Sequence, residues 1–125
     1  MKKQLKTDKA PSAIGPYSIA IETDNFLYTS GQLGLDPSTG KLVSDDVEEQ
    51  TTQVMKNLEA ILQEANLSFD SVIKTTIFCA NMADFPKINK IYGSFLKEPF
   101  PARSTVQVAA LPLAGLIEIE MTAKK

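Results

Sequence analysis

Two charged residues near the end of the chain have the side-chain types needed to clamp a small anion and to handle a water molecule. Arg103 is the only arginine, against twelve lysines. Its planar guanidinium can hold a carboxylate through two parallel hydrogen bonds, which a lysine ammonium cannot do. Glu120 can orient a water molecule and accept its proton. They are the candidate catalytic residues, and the alternative is a solvated strand face with a weak surface ion pair.

Alternating polar and apolar residues predict that each of the two lies on a β-strand. The alternation runs from Arg103 to Val108 and again from Ile117 to Thr122, and a period of two is typical of a strand. If these strands pair antiparallel across Leu111–Gly115, a register that buries both apolar sets puts Arg103 and Glu120 on one face. We therefore predict a hairpin that brings the two residues together.

The composition excludes several classes of site. With 125 residues, 43% of them hydrophobic, the chain is expected to form one domain, residues 1–125, with a substantial core. The absence of histidine and the single cysteine, Cys79, exclude ordinary zinc sites, histidine-based triads and an internal disulfide. A net charge of -2 gives no electrostatic reason to bind nucleic acid. We expect no metal and no nucleic-acid partner.

The sequence also predicts a cytoplasmic protein without a membrane partner. The segment Met1–Lys6 is basic but is not followed by an apolar core, so it is not typical of a signal peptide. The longest apolar run, Val108–Ile117, contains Pro112 and is too short to cross a bilayer. A lone cysteine, expected to be a small buried hydrophobic residue, suits a reducing compartment.

The rest of the chain predicts the element order β-β-α-β-α-β-β, an α+β class with a mixed sheet and two helices packed on one face. Asp45 or Asp46 is expected to cap the first helix, Asn66 to end it, and Asp84 to cap the second. Before the last two strands, the predicted elements are strands Ser18–Glu22 and Phe26–Ser30, helix 46–65, strand Ser71–Ala80 and helix 84–97.

Two features of this arrangement concern a binding site. No predicted helix covers the second face of the sheet, so a closed homo-oligomer with sites between subunits would bury it. Gly31-Gln32-Leu33-Gly34 lacks the Lys-Ser/Thr of a phosphate-binding loop. It is interpreted as a bulge or a close backbone approach, which a ligand pocket would also need.

The chain resembles the RidA/YjgF family of enamine and imine deaminases along nearly its whole length. Each matching motif is weak alone, but their order and spacing are specific. The resemblance implies a chorismate-mutase-like α+β fold, a homotrimer with clefts between subunits, and no cofactor. The motifs are Ala13–Ser18, Tyr28–Leu33, Leu35–Gly40, Gln50-Thr51 to Asn57-Leu58, Phe85 to Asn89 with Tyr92, Phe100–Ser104 and Ile117–Glu120.

In that family a reactive 2-imino acid, or its enamine tautomer, is hydrolysed to a 2-oxo acid and ammonia, with 2-aminoacrylate and 2-iminobutanoate as typical substrates. The resemblance implies that Arg103 holds the substrate carboxylate and Glu120 holds the attacking water. Many relatives carry cysteine where Thr105 stands. The other residues implied to bind substrate are Tyr17, Ser30, Gly31, Asn89 and Thr105.

Two other functions stay open at this point. A non-catalytic regulatory protein could bind a small carboxylate through the same Arg103 pocket. A ribonuclease is the third alternative, and an acidic chain without histidine is poorly equipped for RNA cleavage.

Overall fold

The fold is one mixed seven-stranded sheet, seen in a computed structural model that describes residues 1–125. The strands follow the order β1-β2-β3-β7-β5-β6, and β4 pairs with β7 beside β3. Only β5 and β6 run parallel; every other pairing is antiparallel. The strands are β1 Lys3–Leu5, β2 Ala20–Glu22, β3 Phe26–Thr29, β4 Gln32–Leu33, β5 Val72–Cys79, β6 Ala102–Gln107 and β7 Ile117–Lys124.

Two helices cover one face of this sheet, so the predicted α+β class is confirmed. Helix α1 spans Val47–Glu64, and Asp46 caps it because its side chain accepts a hydrogen bond from the Glu49 amide at 2.9 Å. Asn66 follows in the left-handed conformation, with φ 60°, which ends the helix as predicted. Helix α2 is shorter than predicted, Phe85–Ser94, and Asp84 precedes it without a side-chain capping bond.

The core lies between the helices and this face of the sheet. Apolar side chains repeat along α1 at helical spacing and along β7 at every second residue, which places both sets in one layer. Cys79 is fully buried among them, as predicted. Fully buried examples are Leu27, Val54, Met55, Leu58, Ile61, Leu62, Ile77, Ile88, Ile117 and Ile119.

The predicted hairpin of the last two strands is wrong. Strand β5 lies between β6 and β7: Thr75 pairs with both Arg103 and Met121, and Thr76 with both Ser104 and Glu120. Paired residues share a face of a sheet and successive residues alternate. Arg103 is therefore on the helix-covered face, and Glu120 is on the opposite face.

Side chains of α1 fix the loops around β4. Asn57 is buried, and its amide donates to the carbonyl oxygens of Leu33 at 3.2 Å and Leu35 at 2.9 Å. Gln53 in turn donates to Asn57 Oδ1 at 2.8 Å. A two-residue strand has few backbone hydrogen bonds of its own, so these side-chain bonds hold Leu33 and Leu35 in place.

Asn57→Ala is expected to lower the free energy of unfolding by about 2 kcal/mol, because it leaves buried carbonyl groups without donors. Urea denaturation at fixed protein concentration measures the loss. Lys56→Ala is the matched control, since Lys56 is exposed on the same helix and should change the value by under about 0.5 kcal/mol. Equal stability of the two variants would contradict the structural role of Asn57.

No helix covers the other face of the sheet, which carries Glu118, Glu120 and Thr122 together with the partly exposed apolar residues Tyr28 and Val106. In the structure, no helix has both the length and the apolar character that crossing a membrane would require.

Candidate active site

Arg103 lies in a cleft beside α2 that is about 290 Å³ in volume. Its Nη1 donates to Asn89 Oδ1 at 2.8 Å. The guanidinium carbon lies 5.4 Å from the centre of the Phe85 ring and 5.2 Å from that of Tyr92. Both distances are within the range of a cation–π interaction. An amide and two rings thus orient the guanidinium, and none of the ion pairs in the structure includes it.

Tyr92 is itself held in place beneath Arg103. Its hydroxyl shares a 2.7 Å hydrogen bond with Thr75 of β5, and burial raises the pKa of the Tyr92 phenol above its usual value. The phenol therefore stays neutral, and its ring face remains available to the cation. These contacts hold the Arg103 guanidinium in a position to receive a carboxylate.

A second cleft of about 330 Å³ lies elsewhere in the chain. The residues that line it include Tyr17, Ser30, Gly31 and Glu118. Ser30 Oγ donates to the Ser18 carbonyl oxygen at 2.6 Å, which fixes the loop after β3. A carboxylate, a hydroxyl and a phenol thus converge on one small space with otherwise largely apolar walls.

Gly31 allows the Glu118 carboxyl to lie directly over the backbone. A Cβ atom added to Gly31 would lie 2.6 Å from Glu118 Cδ and Oε2, far inside van der Waals contact. An alanine there would displace the carboxyl, because the end of a glutamate side chain can move more readily than the backbone. The close backbone approach that the sequence indicated at Gly31 is therefore present, and Glu118 is what approaches.

The environment of Glu118 favours its protonated form. Burial, and then the nearby charge of Glu120, raise the pKa of the Glu118 carboxyl above its ordinary value. Two carboxylates on one sheet face repel one another, and burial costs the charged form most. A carboxyl of raised pKa that lines a cleft is a candidate proton donor and acceptor.

The structure separates the residues that the sequence predicted as one site. Tyr17, Ser30 and Gly31 share the Glu118 cleft, whereas Asn89 and Arg103 share the other, and the two clefts have no lining residue in common. Glu120 lines neither cleft and is exposed. Within one chain, the predicted residues that line a cleft therefore form two separate groups, an Arg103 half-site and a Glu118 half-site.

Thr105 is close to Arg103 in sequence but lines neither cleft. It lies two residues beyond Arg103 on the same face of β6, paired with Ile77. Its hydroxyl oxygen is buried within its own chain and has no hydrogen-bond partner, which is unusual for a buried hydroxyl group.

Sequence reasoning missed Glu118, Phe85 and Tyr92 as site residues. Glu118 and Glu120 share a face by alternation, so pattern alone could not choose between them. The one usable signal was Gly31, whose missing side chain indicated that something packs against it. Asn89 and Tyr92, three residues apart on α2, both line the Arg103 cleft.

Comparison with known proteins gives one family and close relatives. Residues 7–125 match the family described as endoribonuclease L-PSP. The chain is 53% identical to reactive intermediate deaminase A, chloroplastic, of Arabidopsis thaliana, over 98% of this chain and 65% of that protein. It is 48% identical to the human 2-iminobutanoate/2-iminopropanoate deaminase, over 98% of this chain and 90% of that one.

The fold is also that of solved structures. The crystal structure of Escherichia coli TdcF with bound serine is 39% identical, with a TM-score of 0.94 over 98% of both chains. This agreement is consistent with the chorismate-mutase-like fold. That relative binds a small molecule with an amino group and a carboxylate.

Proposed function

The chain belongs to the RidA/YjgF family, and from that premise we propose that it is a deaminase hydrolysing reactive 2-imino acids and their enamine tautomers. The products are a 2-oxo acid and ammonia. The observation that carries the proposal is the pair of half-sites: a ring-flanked arginine without a carboxylate partner, and a cleft with a carboxyl of raised pKa. The relatives named as deaminases support the same reaction.

The chemistry needs only positioned polar groups because an imine carbon is already electrophilic. Water adds to this carbon while Glu118 takes one of its protons, and the nitrogen receives a proton from the same carboxyl. The hydroxyl proton of the tetrahedral intermediate then passes through Glu118 to the nitrogen as the carbon–nitrogen bond breaks, which releases ammonia and leaves a carbonyl group. No redox step occurs, and we propose that the reaction uses no cofactor and no metal.

Arg103 supplies the anchor for the substrate. Its bidentate hydrogen bonds to the carboxylate fix the imine carbon at one distance from the water. Asn89 orients the guanidinium through the 2.8 Å bond. This proposal assigns positioning to Asn89 and ligand contact to Arg103 and to the backbone of Thr105, whose hydroxyl oxygen is enclosed within its own chain.

The other cleft supplies the reacting groups. Glu118 holds the water, whereas Glu120, which the sequence singled out, raises the Glu118 pKa from outside the cleft. Gly31 gives the carboxyl room, and Tyr17 and Ser30 line the space around the imine. Glu118 therefore replaces Glu120 as the proposed catalytic acid and base.

Two half-sites in one chain require a second chain to complete the site. We propose a homotrimer in which the uncovered sheet faces meet, and the Arg103 cleft of one subunit faces the Glu118 cleft of its neighbour. The exposed apolar residues Tyr28 and Val106 on that face support burial. Light scattering should give three times the 13.6 kDa chain mass.

The direct test of the function is release of ammonia and 2-oxo acid from an imine generated by a dehydratase, with and without this protein. Faster release of ammonia and of 2-oxo acid, in equal amounts, supports the deaminase. A protein that binds 2-oxo acids but does not accelerate release would be the non-catalytic carboxylate binder instead.

We propose a cytoplasmic setting, because the free buried thiol of Cys79 suits a reducing compartment.

The pH dependence should reveal Glu118. Its raised pKa means that activity, which needs the ionised form to take a proton from water, appears only above the range of an ordinary glutamate. The free energy of unfolding has the opposite pH dependence. The protonated carboxyl favours the folded state, and this stabilisation is lost as pH rises through the folded-state pKa of Glu118. In Glu120→Gln the acidic limb of kcat/KM should move to lower pH. An unmoved limb would contradict the coupling of the two carboxyls.

A further inference from the structure

A strained turn leads from β6 into β7 and carries a leucine side chain at the Glu118 cleft. The turn is a short 3₁₀ segment, Pro112–Ala114. Leu113 and Ala114 have φ 57° and 58°, in the left-handed region that residues with a Cβ atom rarely adopt. Two successive residues of this kind persist only where the surroundings hold them, and such strain clusters at ligand sites.

The turn is fixed at its far end. Gly115 packs so closely that an added Cβ would lie 2.8 Å from Leu33 Cδ2. The Leu116 amide donates to Oε1 of the fully buried Gln50 at 2.9 Å. The backbone rather than side-chain packing therefore sets where Leu113 lies.

Leu113 and Ile14 line the Glu118 cleft but remain 54% and 77% exposed. They therefore lie at its open side. Exposed aliphatic groups at a cleft gain stability when an apolar ligand group covers them. The cleft thus has an aliphatic part beside the polar part that contains Ser30 and Glu118.

An imine carbon carries three groups: the nitrogen, the carboxylate and the substrate's own side chain. In the proposed deaminase function, on which this inference rests, Glu118 protonates the nitrogen and Arg103 binds the carboxylate. We propose that Leu113, with Ile14, contacts the third and is a specificity-determining residue. The protein then prefers 2-imino acids whose aliphatic side chains have two or more carbons over the one-carbon 2-iminopropanoate.

The test is a series of 2-oxo acids, 2-oxopropanoate, 2-oxobutanoate and 2-oxopentanoate, titrated by calorimetry into the full-length protein. In wild type each added methylene should lower Kd roughly fourfold, the usual value of burying one such group. In Leu113→Ala the factor should fall below about twofold. Val43→Ala is the control, since Val43 is an exposed apolar residue outside this cleft and should keep the wild-type factor.

Leu113→Gly separates the side chain from the strain. Glycine adopts the left-handed conformation without crowding, so this variant should lose the chain-length preference and unfold at the same or a higher temperature than wild type. Because it relieves the backbone, it also tests the inference if Leu113→Ala folds poorly. Light scattering on each variant establishes whether assembly is unchanged.

Three results would overturn the inference: an unchanged per-methylene factor in both Leu113 variants, no chain-length dependence in wild type, or dissociation of the variants into single chains. Imine hydrolysis measured in parallel keeps the two proposals apart. If wild type hydrolyses no imine while the Leu113 variants still lose the affinity trend, the deaminase function fails and the role of Leu113 stands. If wild type hydrolyses the imine and the Leu113 variants keep the affinity trend, the deaminase function stands and the role of Leu113 fails.

Discussion

Replacing Glu118 by glutamine is expected to lower kcat for 2-iminobutanoate by about 10²-fold or more, the usual scale for a lost general base. Glutamine keeps the size of the side chain and can still accept a hydrogen bond from water, but it cannot take up the proton. Binding of 2-oxobutanoate should be retained or slightly improved, because a nearby negative charge is removed. Steady-state ammonia release and calorimetry on one preparation measure both quantities.

Glu120→Gln is the matched control, because it makes the same chemical change two residues away on the same sheet face. Glu120 lies outside the Glu118 cleft, so its loss should change kcat at the optimum pH by less than several-fold. A large loss in Glu120→Gln with a small one in Glu118→Gln would restore the assignment that sequence alone suggested. If wild type and both variants are equally active, neither carboxyl takes part in catalysis and the proposed mechanism is wrong.

Arg103→Lys is expected to lower kcat/KM by roughly 30- to 150-fold, or about 2–3 kcal/mol, while the protein folds normally. Lysine keeps the positive charge but lacks the planar fork that holds a carboxylate at two points. It also loses much of the flat contact with Phe85 and Tyr92. Circular dichroism and light scattering establish folding and assembly, and turnover measures the effect.

Asn89→Ala is the graded comparison for this prediction. It removes the 2.8 Å bond to Arg103 but leaves the guanidinium and both rings, so the expected loss is smaller than in Arg103→Lys. A folded Arg103→Lys protein with nearly wild-type turnover would refute the carboxylate anchor.

Long periodic segments could be predicted from the sequence, because there the pattern and the packing agree. Helix α1 and strand β5 have enough residues for a 3.6- or 2-residue period to be recognised. The cap at Asp46 and the left-handed stop at Asn66 follow from local hydrogen bonding, which depends on a few neighbouring residues. Strands β1 and β4, with three and two residues, are too short to show any period.

The order of the strands could not be predicted in the same way. Two alternating segments separated by a short turn favour a hairpin, but the chain instead crosses over β5. Nothing local distinguishes these outcomes, since the alternation of β6 and β7 is satisfied by both. With β5 between them, Arg103 and Glu120 fall on opposite faces of the sheet, and the predicted pair is lost for that reason.

The half-sites show the same limit at the level of single residues. Arg103 was singled out by its residue type, and Asn89, Tyr17, Ser30 and Gly31 by the family resemblance; all five line clefts. The choice between Glu118 and Glu120 depends on which of the two approaches Gly31. That is decided by how the loop after β3 packs against the side chains of β7, which the sequence does not reveal.

In the proposed trimer, Arg103 of one chain works with Glu118 of a neighbouring chain, and assemblies mixed from two variants test this pairing. Arg103→Lys and Glu118→Gln chains, each nearly inactive alone, are unfolded together in equal amounts and refolded. In a randomly mixed trimer, one site in four pairs an intact arginine from one chain with an intact glutamate from the next.

The mixture should recover about a quarter of wild-type imine hydrolysis, since each shared site draws independently on two chains. A chain carrying both substitutions, mixed with either single variant, should recover none. If the mixture of single variants also stays at the level of its inactive components while light scattering shows mixed trimers, the site lies within one chain and the sharing of sites between chains is refuted.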